Sequence, residues 1–482
     1  THVRPSFPRR LGTAVAAIGL SAGTLGLYGS FAYGAACATP TSQSTVSITI
    51  PDDSSLTVES EGAGAIDVTL QGTSCVSYTD VVTLNIDADG GNTNDETVTF
   101  IASNTGDFPT AHVDLENSNG DVVVLEGTSG ADTLDAGDFD FNRVDLLVFS
   151  GLGGNDTLVH DGSWSFDDVT FGGGTGTDTA DLSDEGGSWS WTMPADVEIA
   201  IGGSGANTIT GNASANSIYG GAGNDPLSGA GGNDLLFGEG DADNLNGGDG
   251  NDTLIGGPGA DTLNGAGGTD TANYNNSQYA GAATAGVTAN LATGGVSGGA
   301  GADTITLGTV ENLIGSSYGD DLTGDDADNL IGGHLGNDTI EGGDGEDILD
   351  GSTGVDTISY ADSDAAVKVN LAAAYPTGGD AEGDLMGDFE NAEGSDFADT
   401  LTGTAAANTL MGGDGNDLLV GLGGADVLNG GGGAGDTVTY EASTAGVTVS
   451  LAAGAGKGGD AEGDKLARVE NLIGSDENDT LV

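Results

Sequence analysis

Positive charge is scarce in this sequence. Its 482 residues include 8 lysines and arginines against 75 aspartates and glutamates, which gives a formal net charge of -67. Such an acidic chain repels nucleic acid and anionic membrane surfaces, so the composition excludes both as partners and favours cations. The same self-repulsion opposes a compact state unless counter-ions are bound.

Metal ligands other than carboxylates are also few. The chain has 2 cysteines and four histidines without ligand spacing, namely His2, His112, His160 and His334. Zinc prefers histidine and cysteine ligands, so a zinc site is not expected. If the protein is exported, Cys37 and Cys75 most simply form a disulfide, with cleavage beyond Cys37 or two unpaired thiols as the alternatives.

Catalytic motifs are missing too. The sequence contains no HExxH zinc motif, and no Gly-x-Ser-x-Gly or other nucleophile elbow stands in a suitable context. Carboxylates are abundant enough to imitate a glycosidase pair, but nearly all of them stand in turns. The sequence therefore predicts a protein that is not an enzyme.

Glycine, in contrast, is abundant, with 90 residues. From Gly202 the chain reads in nines, as in GGAGNDPLS, GGDGNDTLI and GGPGADTLN, with glycine first, Asp or Asn sixth and usually an apolar residue eighth. Low hydrophobicity with high charge usually indicates disorder. A fixed period of acidic beside apolar residues is not required by disorder, and it favours a folded, ion-dependent array.

Each repeat divides into a six-residue turn and a three-residue strand, so two repeats predict one coil of eighteen residues. Glycine permits the positive φ angles of such tight turns. Alternate repeats then stack about 4.8 Å apart, the spacing of hydrogen-bonded strands. Stacking places Asp225, Asp243 and Asp261 in one column and the intervening aspartates in the opposite one. Carboxylates this close cannot all stay ionised without a cation, and flexible all-oxygen coordination selects Ca²⁺ over Mg²⁺.

The organisation follows from the blocks of repeats and the connectors between them. The predicted fold class is all-β, a parallel β-roll or β-solenoid of nonapeptide repeats in tandem blocks, preceded by a small β-domain. The predicted segments are a signal peptide (1–36), an N-terminal β-domain (37–126), a degenerate repeat region (127–201), block 1 (202–273), a connector (274–314), block 2 (315–359), a connector (360–393), block 3 (394–439), a connector (440–473) and the start of a fourth block (474–482).

The first segment resembles an export signal. Arg9 and Arg10 precede an uncharged stretch from Leu11 to Ala36 that ends in small residues. This pattern predicts cleavage near Ala36, an extracellular or cell-surface location and no membrane span after cleavage. A retained membrane anchor and a lipidated Cys37 are the alternatives.

The chain resembles the RTX, or hemolysin-type calcium-binding, repeat proteins of bacteria over roughly residues 127–482. GGDGEDILD and GGDGNDLLV match that pattern closely, as do the three repeats quoted above. The resemblance implies multiple Ca²⁺ ions held by turn carbonyls and sixth-position aspartates. The candidate side-chain ligands are Asp225, Asp234, Asp243, Asp252, Asp261, Asp270, Asp320, Asp338, Asp347, Asp356, Asp399, Asp417, Asp426 and Asp436.

Departures from the pattern locate weak positions. Asn207, Asn216, Asn329 and Asn408 replace the aspartate near the start of each block, so these turns are expected to bind weakly or to act as caps.

The expected function is that of a non-catalytic adhesin or extracellular structural protein, with cell-surface or matrix polymers as possible partners. The alternative is the calcium-folded segment of a larger secreted toxin or hydrolase with its catalytic domain elsewhere.

Overall fold

The computed structural model describes residues 130–135, 146–160, 169–275 and 285–482, together with the strands that lie between residues 17 and 142. Every regular element of four residues or more within these ranges is a β-strand. Cys37 and Cys75 lie outside the described residues, as does the expected cleavage point at Ala36. The chain divides into two compact units, residues 1–221 and 222–482.

The strands of the first unit are β1 (Ala17–Ala22), β2 (Leu25–Ser30), β3 (Ser44–Pro51), β4 (Ser55–Glu61), β5 (Ala65–Gln71), β6 (Val81–Ala88), β7 (Thr97–Ala102), β8 (Ala111–Asp114), β9 (Val122–Glu126), β10 (Thr133–Asp135), β11 (Phe139–Asn142), β12 (Leu146–Ser150), β13 (Thr157–Val159), β14 (Val169–Gly172), β15 (Thr179–Asp181), β16 (Ser190–Thr192), β17 (Ile199–Ile201), β18 (Thr208–Thr210) and β19 (Ser217–Ala222).

Pairing in this unit changes from antiparallel to parallel along the chain. β2, β1, β3, β6 and β7 form an antiparallel run, and β4 pairs with β5 in the same way. The pairs β7–β9, β9–β12 and β12–β14 are parallel. The strands between residues 37 and 126 therefore combine antiparallel and parallel pairs. β10, β13, β15, β17 and β19 then form a parallel ladder, as the degenerate repeats predict.

The strands of the second unit are β20 (Pro226–Gly231), β21 (Leu235–Gly240), β22 (Asn244–Asp249), β23 (Thr253–Ile255), β24 (Thr262–Gly267), β25 (Thr271–Asn273), β26 (Val287–Asn290), β27 (Gly295–Gly298), β28 (Thr304–Ile305), β29 (Asn312–Ile314), β30 (Asp321–Thr323), β31 (Leu330–Gly332), β32 (Thr339–Glu341), β33 (Ile348–Asp350), β34 (Thr357–Ser359), β35 (Lys368–Asn370), β36 (Leu385–Gly387), β37 (Asn391–Glu393), β38 (Thr400–Thr402), β39 (Thr409–Met411), β40 (Leu418–Val420), β41 (Val427–Asn429), β42 (Thr437–Thr439), β43 (Thr448–Ser450), β44 (Ala455–Lys457), β45 (Lys465–Ala467), β46 (Asn471–Ile473) and β47 (Thr480–Leu481). Short 3-10 turns cover Gly379–Ala381 and Gly459–Ala461.

The second unit is a parallel roll in which every second strand pairs. β20, β22 and β24 form one face with Leu227, Leu245 and Leu263 side by side. β21, β23 and β25 form the other face. The partners are two repeats apart in sequence, so one coil contains two repeats. This confirms the predicted all-β fold and its parallel β-roll.

The core of the roll is the eighth-position column. Leu236, Leu254 and Leu263 are each 0% exposed, and so is the alanine at Ala272. The flanking positions of most three-residue strands are more exposed than the central one, which the intermediate–buried–intermediate pattern of β18 and β40 illustrates. One apolar side chain per repeat therefore fills the space between the two sheets.

Connectors add strands to the roll without ending it. In the first connector, β28 pairs with β24 and β29 pairs with β25, so both sheets continue. The hairpin β26–β27 is inserted on one face only, with β27 beside β28 and β26 beside β30. In the third connector, β43 and β44 repeat this arrangement between β45 and β47. In the second connector one sheet continues from β34 to β37, whereas the other ends at β36 and a separate five-stranded sheet begins at β35.

Replacing Leu419 with Ala is expected to destabilise the β-roll locally. The Leu419 side chain is 0% exposed at the centre of β40, and large-to-small changes in a packed core cost about 2–5 kcal/mol. The matched control is Leu330→Ala, because Leu330 is 43% exposed and surface changes usually stay within about 0.5 kcal/mol. Amide hydrogen exchange of the calcium-saturated chain measures local opening. Equal losses for the two variants would contradict the assignment of the core.

Candidate calcium sites in the turns

The turns of the roll bend through residues of positive φ. The second position of a repeat has φ 112° at Gly248 and 99° at Gly257, and the fourth has φ 142° at Gly250. Ala230 and Glu239 occupy second positions with φ 76° and 73°, a conformation that costs a non-glycine residue about 1–2 kcal/mol. The tight turn packs successive coils closely, since the N–H of Gly250 donates to the carbonyl of Gly267 at 2.7 Å.

Sixth-position aspartates stack into two columns, as the repeat spacing predicts. One carboxylate oxygen, Oδ1, accepts the backbone N–H of the aspartate one coil earlier. Asp225 N donates to Asp243 Oδ1 and Asp243 N to Asp261 Oδ1, both at 2.8 Å. On the opposite edge Asp234 N donates to Asp252 Oδ1 at 2.8 Å. We call each of these carboxylates a rung and the whole series the carboxylate ladder.

The second oxygen of most rungs has no partner. Within the described part of the chain, Oδ2 accepts no hydrogen bond at Asp243, Asp252, Asp261, Asp270, Asp338, Asp347, Asp356, Asp417, Asp426 and Asp436, although all of these side chains are buried. A buried ionised oxygen without a partner costs several kcal/mol. Two carboxylates of the first unit, Asp156 and Asp178, have the same arrangement.

Glycine at the first position leaves room beside this oxygen. A Cβ added to Gly412 would lie 2.4 Å from Asp417 Oδ2 and 2.4 Å from the carbonyl oxygen of Gly430. At Gly238 the corresponding distances are 2.3 Å to Asp243 Oδ2 and 2.6 Å to the carbonyl of Gly256. A carboxylate oxygen and a main-chain carbonyl of the next coil thus face one small space, and Ca²⁺–oxygen distances are about 2.3–2.6 Å. The residues fit a calcium ion.

Main-chain oxygens must complete such a site. Nowhere in the described ranges do three or more His, Cys, Asp or Glu side chains converge in a way that could hold a metal ion. Ca²⁺ takes 6–8 oxygen ligands, of which backbone carbonyls are a normal part. A site made of one or two rung carboxylates and several turn carbonyls is consistent with that number.

Burial raises the pKa of several rungs. Burial, aided by the charges of Asp261, Asp225 and Asp241 and opposed by the hydrogen bond from Asp225, raises the pKa of Asp243 to about 8. The pKa values of Asp338, Asp347 and Asp426 are raised to about 7, again chiefly by burial. These carboxylates therefore ionise readily at neutral pH only when a cation compensates them.

Two of the predicted ligands have a different environment. Both oxygens of Asp320 accept hydrogen bonds, Oδ1 from Val287 N at 2.7 Å and from Ser316 Oγ at 2.8 Å, and Oδ2 from Ser316 N at 2.6 Å. Asp399 repeats this arrangement with Val367 N at 2.7 Å and with Ser395 N at 2.6 Å. Asp225 and Asp234 stand at the start of their columns in this unit and are buried.

Where asparagine replaces the sixth-position aspartate, its side-chain amide provides a hydrogen-bond donor. Asn329 Nδ2 donates to the carbonyl of Glu311 at 2.8 Å, and Asn408 Nδ2 donates to that of Glu390 at 2.6 Å. Asn216 Nδ2 donates to Val197 O in the first unit. The amide NH₂ of these side chains thus donates to a main-chain carbonyl, and weak binding or capping by these turns stays a prediction.

The connectors contribute rungs that the repeat spacing does not reveal. Asp303, Asp384 and Asp464 accept the N–H groups of Asp261, Asp347 and Asp426 at 2.9–3.0 Å. Three glutamates close the other columns, since Glu311, Glu390 and Glu470 accept the N–H groups of Asp270, Asp356 and Asp436. In the sequence, each of these glutamates is the first residue of the Glu-Asn pair that closes a connector. The repeat spacing alone does not place this pair in the ladder.

Fold and turns together define a calcium-binding parallel β-roll. The chain matches the family described as RTX calcium-binding nonapeptide repeat (4 copies), over residues 124–140, 201–236, 237–272, 323–358, 393–428 and 402–436. Over these residues the chain consists of RTX-type calcium-binding nonapeptide repeats. No curated protein matches the chain. No helix in the described ranges is long and apolar enough to cross a membrane.

Proposed function

We propose that the protein is an exported bacterial protein whose roll folds on extracellular calcium and serves, without catalysis, as an adhesin or extracellular structural element. The buried, unpartnered Oδ2 atoms of the rungs carry this proposal. In the low-calcium cytosol they oppose folding, which suits export as an extended chain. Extracellular modules bind calcium at about 10⁻⁴–10⁻³ M, so folding follows release from the cell.

The distribution of side chains supports a non-catalytic role. Most sixth-position aspartates are engaged in the ladder, as Asp252, Asp338 and Asp417 illustrate, since each of them accepts a main-chain N–H. A pocket of about 210 Å³ beside the second connector is lined by Leu371, Met386, Asp388 and Phe389. It is smaller than the 300–1,000 Å³ typical of ligand sites and has a single ionisable side chain.

The proposal is tested by secretion and by adhesion. We expect bacteria to release the full chain into the medium and a chain lacking residues 1–36 to remain inside the cell. Beads coated with the released chain should adhere to bacterial surface polymers in millimolar calcium and detach in chelator. The control is the same protein with Asp243, Asp338 and Asp417 changed to Asn, which should not adhere.

A calcium-folded segment of a secreted hydrolase is the alternative. It would be favoured if the calcium-loaded chain, or the gene product that contains it, hydrolysed ester, glycoside or peptide substrates. Adhesion that persists unchanged in chelator would contradict the proposed function.

A further inference from the structure

The rungs fall into two classes according to their second oxygen. In an open rung, such as Asp417, Oδ2 accepts no hydrogen bond from the described residues. In a closed rung, such as Asp399, both oxygens accept hydrogen bonds from the chain itself. An open rung needs a cation to compensate its buried charge, whereas protein donors already compensate a closed one.

The three connector aspartates are equivalent in position. Each accepts the backbone N–H of the last aspartate in its column, and each is buried, with 3% exposure at Asp303, 0% at Asp384 and 2% at Asp464. Each connector also begins with a buried tyrosine, namely Tyr274, Tyr360 or Tyr440.

The tyrosines distinguish these three rungs. Tyr360 Oη donates to Asp384 Oδ2 at 2.9 Å, and Tyr440 Oη donates to Asp464 Oδ2 at 2.9 Å. Tyr274 makes no such bond, and both its hydroxyl and Asp303 Oδ2 lack a partner among the residues that the structure describes. The second and third connector rungs are therefore closed, and the first is open.

We propose that the first connector binds calcium through Asp303, whereas Tyr360 and Tyr440 take the place of the ion at Asp384 and Asp464. The inference rests on the proposed calcium binding by the ladder. It divides the ladder into calcium-filled stretches separated by rungs that need no metal. The family match does not include Asp303, Asp384 or Asp464, so the nonapeptide pattern does not assign these positions.

Serine closes two further rungs in the same way. Ser316 and Ser395 hold both oxygens of Asp320 and Asp399 immediately after the first and second connectors. Asn329 and Asn408 close the adjacent column one repeat later. The first and second connectors are thus each followed by rungs in both columns that are satisfied by protein donors, and calcium lies between these boundaries.

Calcium stoichiometry of the full chain tests the proposal. Equilibrium dialysis at fixed free Ca²⁺, followed by elemental analysis, measures the bound calcium, and circular dichroism checks folding. Asp303→Asn should lose as much calcium as the reference variant Asp417→Asn, because both remove an open carboxylate. Asp384→Asn should keep the wild-type stoichiometry, since asparagine Oδ1 can still accept the N–H of Asp347.

A second pair of variants does not depend on losing a site. Tyr360→Phe removes the hydroxyl that closes Asp384 and should add bound calcium. Tyr274→Phe is the matched control and should add none, because its hydroxyl donates to no described residue. If Asp303→Asn fails to fold, the calcium bound by Tyr360→Phe and Tyr274→Phe still tests whether a tyrosine takes the place of the ion.

The outcomes separate the inference from the function on which it rests. If Asp417→Asn retains all its calcium, the ladder does not bind the ion and the proposed function fails. If Asp417→Asn loses calcium but Asp303→Asn does not, or if Asp303→Asn and Asp384→Asn lose equal amounts, only the present inference is overturned. An unchanged stoichiometry in Tyr360→Phe would also overturn it.

Discussion

In chelator at pH 8 the roll of the full chain is expected to lose its strand structure, and addition of millimolar calcium is expected to restore it. Ionised rungs such as Asp243, whose pKa burial raises to about 8, are unstable in the fold without a cation. Calcium at a hundredfold over Kd contributes about 2.7 kcal/mol per site, and the ladder repeats the site many times. Far-ultraviolet circular dichroism during a calcium titration measures the change.

Protonation of the rung carboxylates should stabilise the fold in part when calcium is absent. Because the pKa of these rungs is higher in the fold than the ordinary aspartate value of 3.8, the folded chain binds more protons than the unfolded one. Calcium-free stability is therefore greatest near pH 4 and falls as the pH rises through about 6, 7 and 8, the raised pKa values of Asp261, Asp338 and Asp243. The opposite trend is expected for calcium affinity, since the ion binds only the ionised carboxylates.

Magnesium provides the control for this experiment. The sites combine flexible turn carbonyls with few carboxylates, and Mg²⁺ requires stricter octahedral geometry and retains its water. Millimolar Mg²⁺ should therefore leave the chelated chain largely unfolded at pH 8. A full strand signal in chelator at pH 8, insensitive to calcium and to acidification, would contradict both predictions.

The repeat spacing was sufficient to predict the coil and the columns. Asp225, Asp243 and Asp261 follow one another at intervals of eighteen residues, and they stack as expected. The equivalent step from Asp261 to Asp303 spans 42 residues, because a hairpin is inserted between them. A periodicity argument cannot place Asp303 in the ladder, since the insertion removes the spacing on which it depends.

The repeat spacing also could not reveal the local hydrogen bonds that close some of the rungs. Ser316 and Ser395 occupy second positions where a small turn residue is ordinary, and their sequence context does not indicate that they satisfy a carboxylate. Only the bonds to Asp320 and Asp399 distinguish these rungs from Asp338 and its equivalents. That the fourteen aspartates are calcium ligands stays a prediction.

Replacing Gly412 with Ala is expected to destroy one calcium site and to destabilise the roll around it. The new methyl group would lie 2.4 Å from both Asp417 Oδ2 and the carbonyl of Gly430, and the second of these atoms belongs to the backbone and cannot turn away. Overpacking of this kind costs about 1–3 kcal/mol or more. The methyl group also fills the space between the two oxygens that the ion would bridge.

The matched control is Gly332→Ala. Gly332 ends β31, and an added Cβ there would meet no atom within 4 Å. Alanine restricts the unfolded chain more than glycine does, so this variant should be neutral or stabilised by up to about 1 kcal/mol. Bound calcium and the calcium concentration at half-folding distinguish the pair. Because both changes add the same methyl group, a difference between them reports the oxygen-lined space at Gly412, whereas equal behaviour would show that the turn does not hold calcium there.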